Sequence, residues 1–170
     1  ILSETNSWDS YIDPVSTMNV KTIKVGSDGA VWVGTTDQGY YVNKGSGFVK
    51  VFSELYKKVN VIEEDALGNI WLGTDNGLIR RSGSVITYMS KLDGLPDNKI
   101  SSMHKDSKGR LWIGTMGGKT VSWIDRKGIM NQLSLLNGKD SCFVNDIHED
   151  RRGNIWFATT SDGVIKFDGI

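Results

Sequence analysis

The stretch Asp65-Ala66-Leu67-Gly68-Asn69-Ile70-Trp71-Leu72-Gly73-Thr74 constrains this chain most, because versions of it occur four times. The other three are Gly26-Ser27-Asp28-Gly29-Ala30-Val31-Trp32-Val33-Gly34-Thr35, Asp106-Ser107-Lys108-Gly109-Arg110-Leu111-Trp112-Ile113-Gly114-Thr115 and Asp150-Arg151-Arg152-Gly153-Asn154-Ile155-Trp156-Phe157-Ala158-Thr159. Their tryptophans lie 39, 41 and 44 residues apart. A period of about 40 with one aromatic signature per unit marks a repeat architecture.

The second unit shows what one repeat contains. Val59 to Glu64 reads as a short strand and Asp65 to Gly68 as a tight turn, with the Asp side chain bonding amides two residues on. Asn69 to Thr74 reads as a second strand, Asp75-Asn76-Gly77 as a turn, Leu78 to Arg81 as a third strand and Val85 to Met89 as a fourth. In Ile70-Trp71-Leu72 successive residues point to opposite faces, so both faces of the sheet are apolar and both need cover. Four antiparallel strands per unit, covered on both sides by neighbours, describe a blade of a β-propeller. Gly73 in the second strand suits close approach of a neighbouring blade. The expected fold is therefore an all-β propeller with repeats at about 20–52, 59–89, 100–133 and 144–167, in one segment covering 1–170.

Residues 7–13 read as an outer, fourth strand with Trp8, Tyr11 and Ile12 as apolar content, while the last unit stops after its third strand. The ends are thus complementary. Either the chain closes a four-bladed ring on itself, or it is an arc of a seven- to eight-bladed propeller. The absence of an initial Met, with a repeat already under way, suggests a piece of something longer. An arc would expose apolar faces at both ends and is expected to self-associate.

Twenty basic and twenty acidic residues give zero formal net charge, which argues against a nucleic-acid footprint. No apolar run approaches the length of a membrane span, so no membrane contact is expected of this segment. Cys142 is the only cysteine, which rules out an internal disulfide. Its reading is a small packed residue beside Phe143.

No metalloprotease, nucleophile-elbow or phosphate-loop motif occurs, so no catalytic residue, cofactor or metal is assigned and the segment is not expected to be an enzyme. His104 and His148 share a register in the first strands of adjacent units, where Lys24 and Glu63 stand in the other two. A register filled by a lysine, a glutamate and two histidines fits a solvent-tolerant position better than a metal site. Asp65, Asp106 and Asp150 fit turns, and Trp32, Trp71, Trp112 and Trp156 fit the structural core. Trp8 and Trp123 lie outside the motif and are the better sugar-stacking candidates. The third unit is irregular at Met116-Gly117-Gly118-Lys119 and is followed by the longest connection, Leu135 to Phe143.

Leu92-Asp93-Gly94-Leu95-Pro96-Asp97-Asn98-Lys99-Ile100, followed by Asp106 to Thr115, resembles the two-component regulator propeller repeat. Asp75-Asn76-Gly77-Leu78-Ile79-Arg80-Arg81 resembles its closing part, and the likeness extends over all four units. The resemblance implies the periplasmic sensor part of a hybrid two-component histidine kinase, partnered by the remainder of the ectodomain and recognising an oligosaccharide. Propellers usually bind on the face made by loops leading into first strands and loops joining strands two and three. Those loops carry Asp37, Gln38, Asp75, Asn76, Asp97, Asn98, Lys99, Asp140, Ser161 and Asp162. The candidate ligand-binding set drawn from them is Asp37, Gln38, Asp75, Asn76, Asp97, Asn98, Lys99 and Asp162, together with Trp123. The alternatives are a protein–protein interaction propeller, which would show a broad apolar patch, and a propeller-type lyase, supported only by His104 and His148.

Overall fold

The structure, a computed structural model, describes residues 19–51, 56–118, 120–135 and 143–168. Four antiparallel sheets follow one another along the chain, each in simple meander order. The first contains β1 (Val20–Val25), β2 (Val31–Thr35), β3 (Tyr40–Asn43) and β4 (Phe48–Val51). The second contains β5 (Val59–Glu64), β6 (Ile70–Thr74), β7 (Leu78–Ser82) and β8 (Val85–Met89). The third contains β9 (Ile100–Lys105), β10 (Leu111–Thr115), β11 (Thr120–Ile124) and β12 (Met130–Ser134). The fourth has three described strands, β13 (Val144–Glu149), β14 (Ile155–Thr159) and β15 (Val164–Phe167). The expected outer strand at 7–13, with Trp8, and the residues Cys142 and Asp140 lie outside the described residues.

The first strands contact one another in order, β1 with β5, β5 with β9 and β9 with β13, so they line the inner side of the array. Three apolar clusters fill the gaps between sheets. Trp32 packs with Val59, Ile62 and Leu72 of the second blade. Trp71 packs with Ile100, Met103 and Ile113 of the third, and Trp112 with Val144, Ile147 and Phe157 of the fourth. Each motif tryptophan thus faces the next blade, and the residues beside it in sequence face the previous one, as strand alternation requires.

The expectation that all four tryptophans are core needs one correction. Trp32, Trp71 and Trp112 are buried, but Trp156 is 37% exposed. Among the described residues no further blade covers it. The opposite end face is equally open, with Val20, Ile23 and Val25 exposed where Val59 and Ile62 are buried in the second blade. The described blades therefore form an open arc: no comparable contact brings β13 back to β1.

The glycine of the repeat is explained by the gap between blades. A Cβ on Gly73 would lie 2.6 Å from Ile100 Cγ2, one on Gly34 2.7 Å from Val59 Cγ1, and one on Gly114 2.8 Å from Val144 Cγ1. The first residue of each blade sits directly against the glycine of the blade before. Alanine stands at Ala158, where no described blade follows.

The turn aspartate does more than close a hairpin. Asp65 Oδ1 accepts from the amides of Leu67 (2.8 Å) and Asn69 (2.9 Å). Its Oδ2 accepts from Asn69 Nδ2 and from Trp71 Nε1, both at 2.8 Å. Asp150 repeats the set with Arg152, Asn154 and Trp156, and Asp106 bonds Arg110 and Trp112. One carboxylate therefore fixes both the turn and the rotamer of the tryptophan. Burial pushes the Asp65 carboxyl up, but its hydrogen bonds outweigh this and hold it below the ordinary carboxylate value. The hydrogen bonds from Asn154 and Trp156 hold Asp150 down as well.

Candidate functional site

Loops leading into first strands, together with those joining second to third strands, form one face of the arc, here called the upper face. The remaining turns form the lower face. On the upper face each first strand carries a register shift at its second residue: Lys21, Asn60, Ser101 and Asn145 are passed over in pairing with the second strand. A bulge frees that residue to aim elsewhere. Asn60 Nδ2 donates to Ile100 O of the next blade (2.8 Å), and Ser101 Oγ donates to Val144 O in the same manner. Asn60 Nδ2 also donates to Asp75 Oδ1 (2.8 Å), and Asn145 Nδ2 donates to Thr160 Oγ1 (3.2 Å). Asn60 thus ties two blades and the loop after Thr74 into one polar array, whereas Ser101 bonds only the next blade and Asn145 only the loop of its own blade.

The densest part of this array surrounds Asp75. Lys58 Nζ lies 3.1 Å from Asp75 Oδ2. Partial burial pushes the Asp75 carboxyl up, but bonds from Asn60 and Lys58 and the charges of Lys58 and Lys99 prevail and hold it below its ordinary value. Lys58 and Asn60 were missed by sequence reading. The signal was available: they flank the first buried residue of the strand, one blade-period from Lys99 and Ser101.

The other sequence-predicted residues scatter around this cluster. Lys91 Nζ lies 3.8 Å from Asp97 Oδ2, and Asn98 Oδ1 accepts from the Lys91 amide (2.7 Å). Tyr88 donates its hydroxyl to Asn76 O. Asp37 is exposed, and Gln38 Oε1 accepts from Tyr41 and Lys50 at 3.4 Å each. Asp162 and Ser161 occupy the corresponding loop of the fourth blade, where the Asp162 amide donates to Thr159 Oγ1 (3.1 Å). Trp123 is not with these loops. It stands opposite Trp112 in the β10–β11 ladder, ring centres 5.0 Å apart, packed on the cluster between blades three and four.

The register of Lys24, Glu63, His104 and His148 resolves into pairs rather than four independent solvent positions. Lys24 and Glu63 form an ion pair, and the imidazoles of His104 and His148 lie 5.4 Å apart. Burial and the neighbouring His148 push His104 below the ordinary histidine value, against the pull of Glu63, Glu149 and Asp106. Among the described residues no three His, Cys, Asp or Glu side chains are grouped as a metal would require.

Concavities between blades open on the lower face. One, of about 80 Å³, is lined by Asp65, Trp71, Arg80 and Arg126 between blades two and three. Another, of about 290 Å³, lies between blades one and two and is lined by Trp32, Lys44, Glu64 and Arg81.

The two-component regulator propeller repeat matches residues 53–76, 94–117 and 138–161. The first unit lies outside the matched ranges, and it is the unit in which Gly26 and Ala30 replace the Asp and Asn of the turn. No curated protein matches the chain. Among solved structures, the extracellular domain of a hybrid two-component system of B. thetaiotaomicron superposes with a TM-score of 0.73 at 22% identity, over 88% of this chain and 21% of its own. Virginiamycin B lyase of Staphylococcus aureus superposes with a TM-score of 0.69 at 17% identity, over 89% of this chain and 56% of its own. A type-IX secretion surface component of Porphyromonas gingivalis gives 0.65 at 15% identity, over 96% of this chain and 28% of its own. The chain thus spans about one fifth of the sensor domain and just over half of the lyase. At such identities these likenesses speak for the fold. Three stretches of the chain match the two-component regulator propeller repeat.

Proposed function

We propose that this chain is a ligand-sensing segment of the periplasmic propeller of a hybrid two-component sensor, and that its upper face contributes to oligosaccharide recognition. The observation that carries this reading is the Lys58–Asp75–Asn60 array beside Lys99, on a chain of two-component regulator repeats. Donors and acceptors held by rigid strand ends suit sugar hydroxyls. Likeness to extracellular domains of hybrid two-component systems supports the location. No helix among the described residues is long and apolar enough to cross a membrane. Signalling would require the ligand to favour one arrangement of the whole ectodomain over another.

Calorimetric titration of the chain with a panel of plant and host oligosaccharides tests the reading. Saturable heat with one glycan, lost in Asp75→Ala, is the expected result. Indifference to every glycan, or binding unchanged by Asp75→Ala, would overturn it.

The lyase-like fold and the facing His104–His148 pair support a second reading, in which the inner strands carry acid–base chemistry. Turnover of virginiamycin B or gluconolactone, lost in His104→Ala, would favour it over the sensor.

A further inference from the structure

The first blade keeps the backbone of the repeat turn but lacks its carboxylate. Gly26 N donates to Ala30 O (2.8 Å) and Gly29 N to Gly26 O (3.0 Å), as Asp65 N does to Asn69 O and Gly68 N to Asp65 O. Yet Gly26 stands where Asp65, Asp106 and Asp150 bind the indole N–H of their blades, and Ala30 where Asn69 and Asn154 stand. Asp28 makes good only half of the loss. Its Oδ1 takes the Ala30 amide (2.9 Å), the bond that Asp65 makes to the Asn69 amide.

The Trp32 indole N–H is left buried with no protein acceptor, on a residue only 4% exposed. It lines the 290 Å³ cavity between blades one and two, against 80 Å³ for the cavity between blades two and three. Arg81, whose guanidinium carbon lies 5.5 Å from the Trp32 ring centre, and Lys44 line the same space. Glu64, the second acid there besides Asp28, is already engaged by the amide (2.8 Å) and hydroxyl (2.5 Å) of Ser27.

We propose that this cavity is a binding site for the carboxylate of a small ligand, which supplies to Trp32 Nε1 the acceptor that the chain itself supplies in the other three blades. A buried donor without a partner costs stability. The turn donors are already in place, and Arg81 and Lys44 offset the charge of an incoming anion. A carboxylate is the group that the same fold selects at this position three times over. A single sugar acid or an amino acid fits the volume. The site is on the lower face and is independent of the oligosaccharide reading of the upper one.

The test follows the indole N–H resonances of the chain labelled with ¹⁵N-tryptophan, with Trp32→Phe identifying the Trp32 signal. Sodium acetate, D-glucuronate and L-glutamate are titrated, with sodium chloride and D-glucose as controls. Saturable movement of the Trp32 signal alone is expected with the carboxylates, and the tighter of glucuronate and glutamate names the source. Arg81→Gln should weaken the effect by about tenfold, as loss of a charge-assisted bond does. Gly26→Asp/Asp28→Lys installs the acceptor of the third blade and clears the side chain that would meet the new Cβ at 2.8 Å. That variant should show the Trp32 signal already displaced and unresponsive. The proposal is overturned if Trp32 moves no more with carboxylate than with chloride, which leaves the donor to water alone. It is overturned equally if the double variant folds and still responds.

Discussion

At the residue scale, what the repeat conserves is set by what the neighbouring blade leaves free. Gly73→Ala puts a methyl 2.6 Å from Ile100 Cγ2 and 2.7 Å from Val61 Cγ1. Overpacking of this kind costs about 1–3 kcal/mol, whereas Ala158→Gly should cost only the roughly 0.5–1 kcal/mol of backbone entropy. Urea denaturation of the two variants measures the contrast. His104 makes a separate prediction. Its folded-state value is depressed, so between the ordinary histidine value near 6.5 and the folded value the unfolded chain binds more protons. Stability then falls as pH drops through that window, and His104→Gln should flatten the fall in melting temperature between about pH 7 and 5. The depressed Asp65 and Asp75 act in a lower window, losing stability only as pH falls below about 4. The role of Gly73 could be read from sequence because a missing side chain mid-strand has few explanations. The grip of Asp65 on Trp71 could not. A turn already accounted for the aspartate, and nothing in the spacing says which oxygen is left over.

At the element scale, polar clamps between blades recur and lapse in a pattern. The Ser27 amide and hydroxyl donate to Glu64, and those of Ser107 donate to Glu149 at 2.7 and 2.6 Å. Between blades two and three the corresponding residues are Ala66 and Lys105, and no such clamp forms. Ala66→Ser with Lys105→Glu should install it and stabilise the chain by about 1–2 kcal/mol, the scale of a hydrogen bond to a charged group in a partly exposed setting. Either substitution alone should give little. A double-mutant cycle in urea reads the coupling directly. The blade boundaries were legible because period and turn chemistry coincide. The bulges at Asn60 and Ser101 were not, since a polar residue between two apolar ones reads the same whether its strand is regular or shifted.

At the scale of the whole molecule, burial is conferred by neighbours rather than encoded in a blade. Trp71 and Trp156 stand in nearly identical sequence, yet one is 3% exposed and the other 37%. The same holds for Ile62 at 3% against Ile23 at 64%. Sequence could therefore name the apolar positions of every blade but not which of them lie at an end of the arc. Both end faces present the surfaces that blades use against each other inside the molecule: Trp156 and Val164 at one end, Val20, Ile23 and Val25 at the other. One end is the kind of surface that covers a tryptophan, and the other carries an uncovered tryptophan. We propose that two copies of the isolated chain associate end to end through these faces. Sedimentation velocity should show an average mass that rises with concentration. Ile23→Lys/Val25→Lys should shift the chain to monomer without changing its strand content by circular dichroism. A mass independent of concentration in the unmodified chain would mean that these faces do not meet, and would remove the basis for treating the arc as self-complementary.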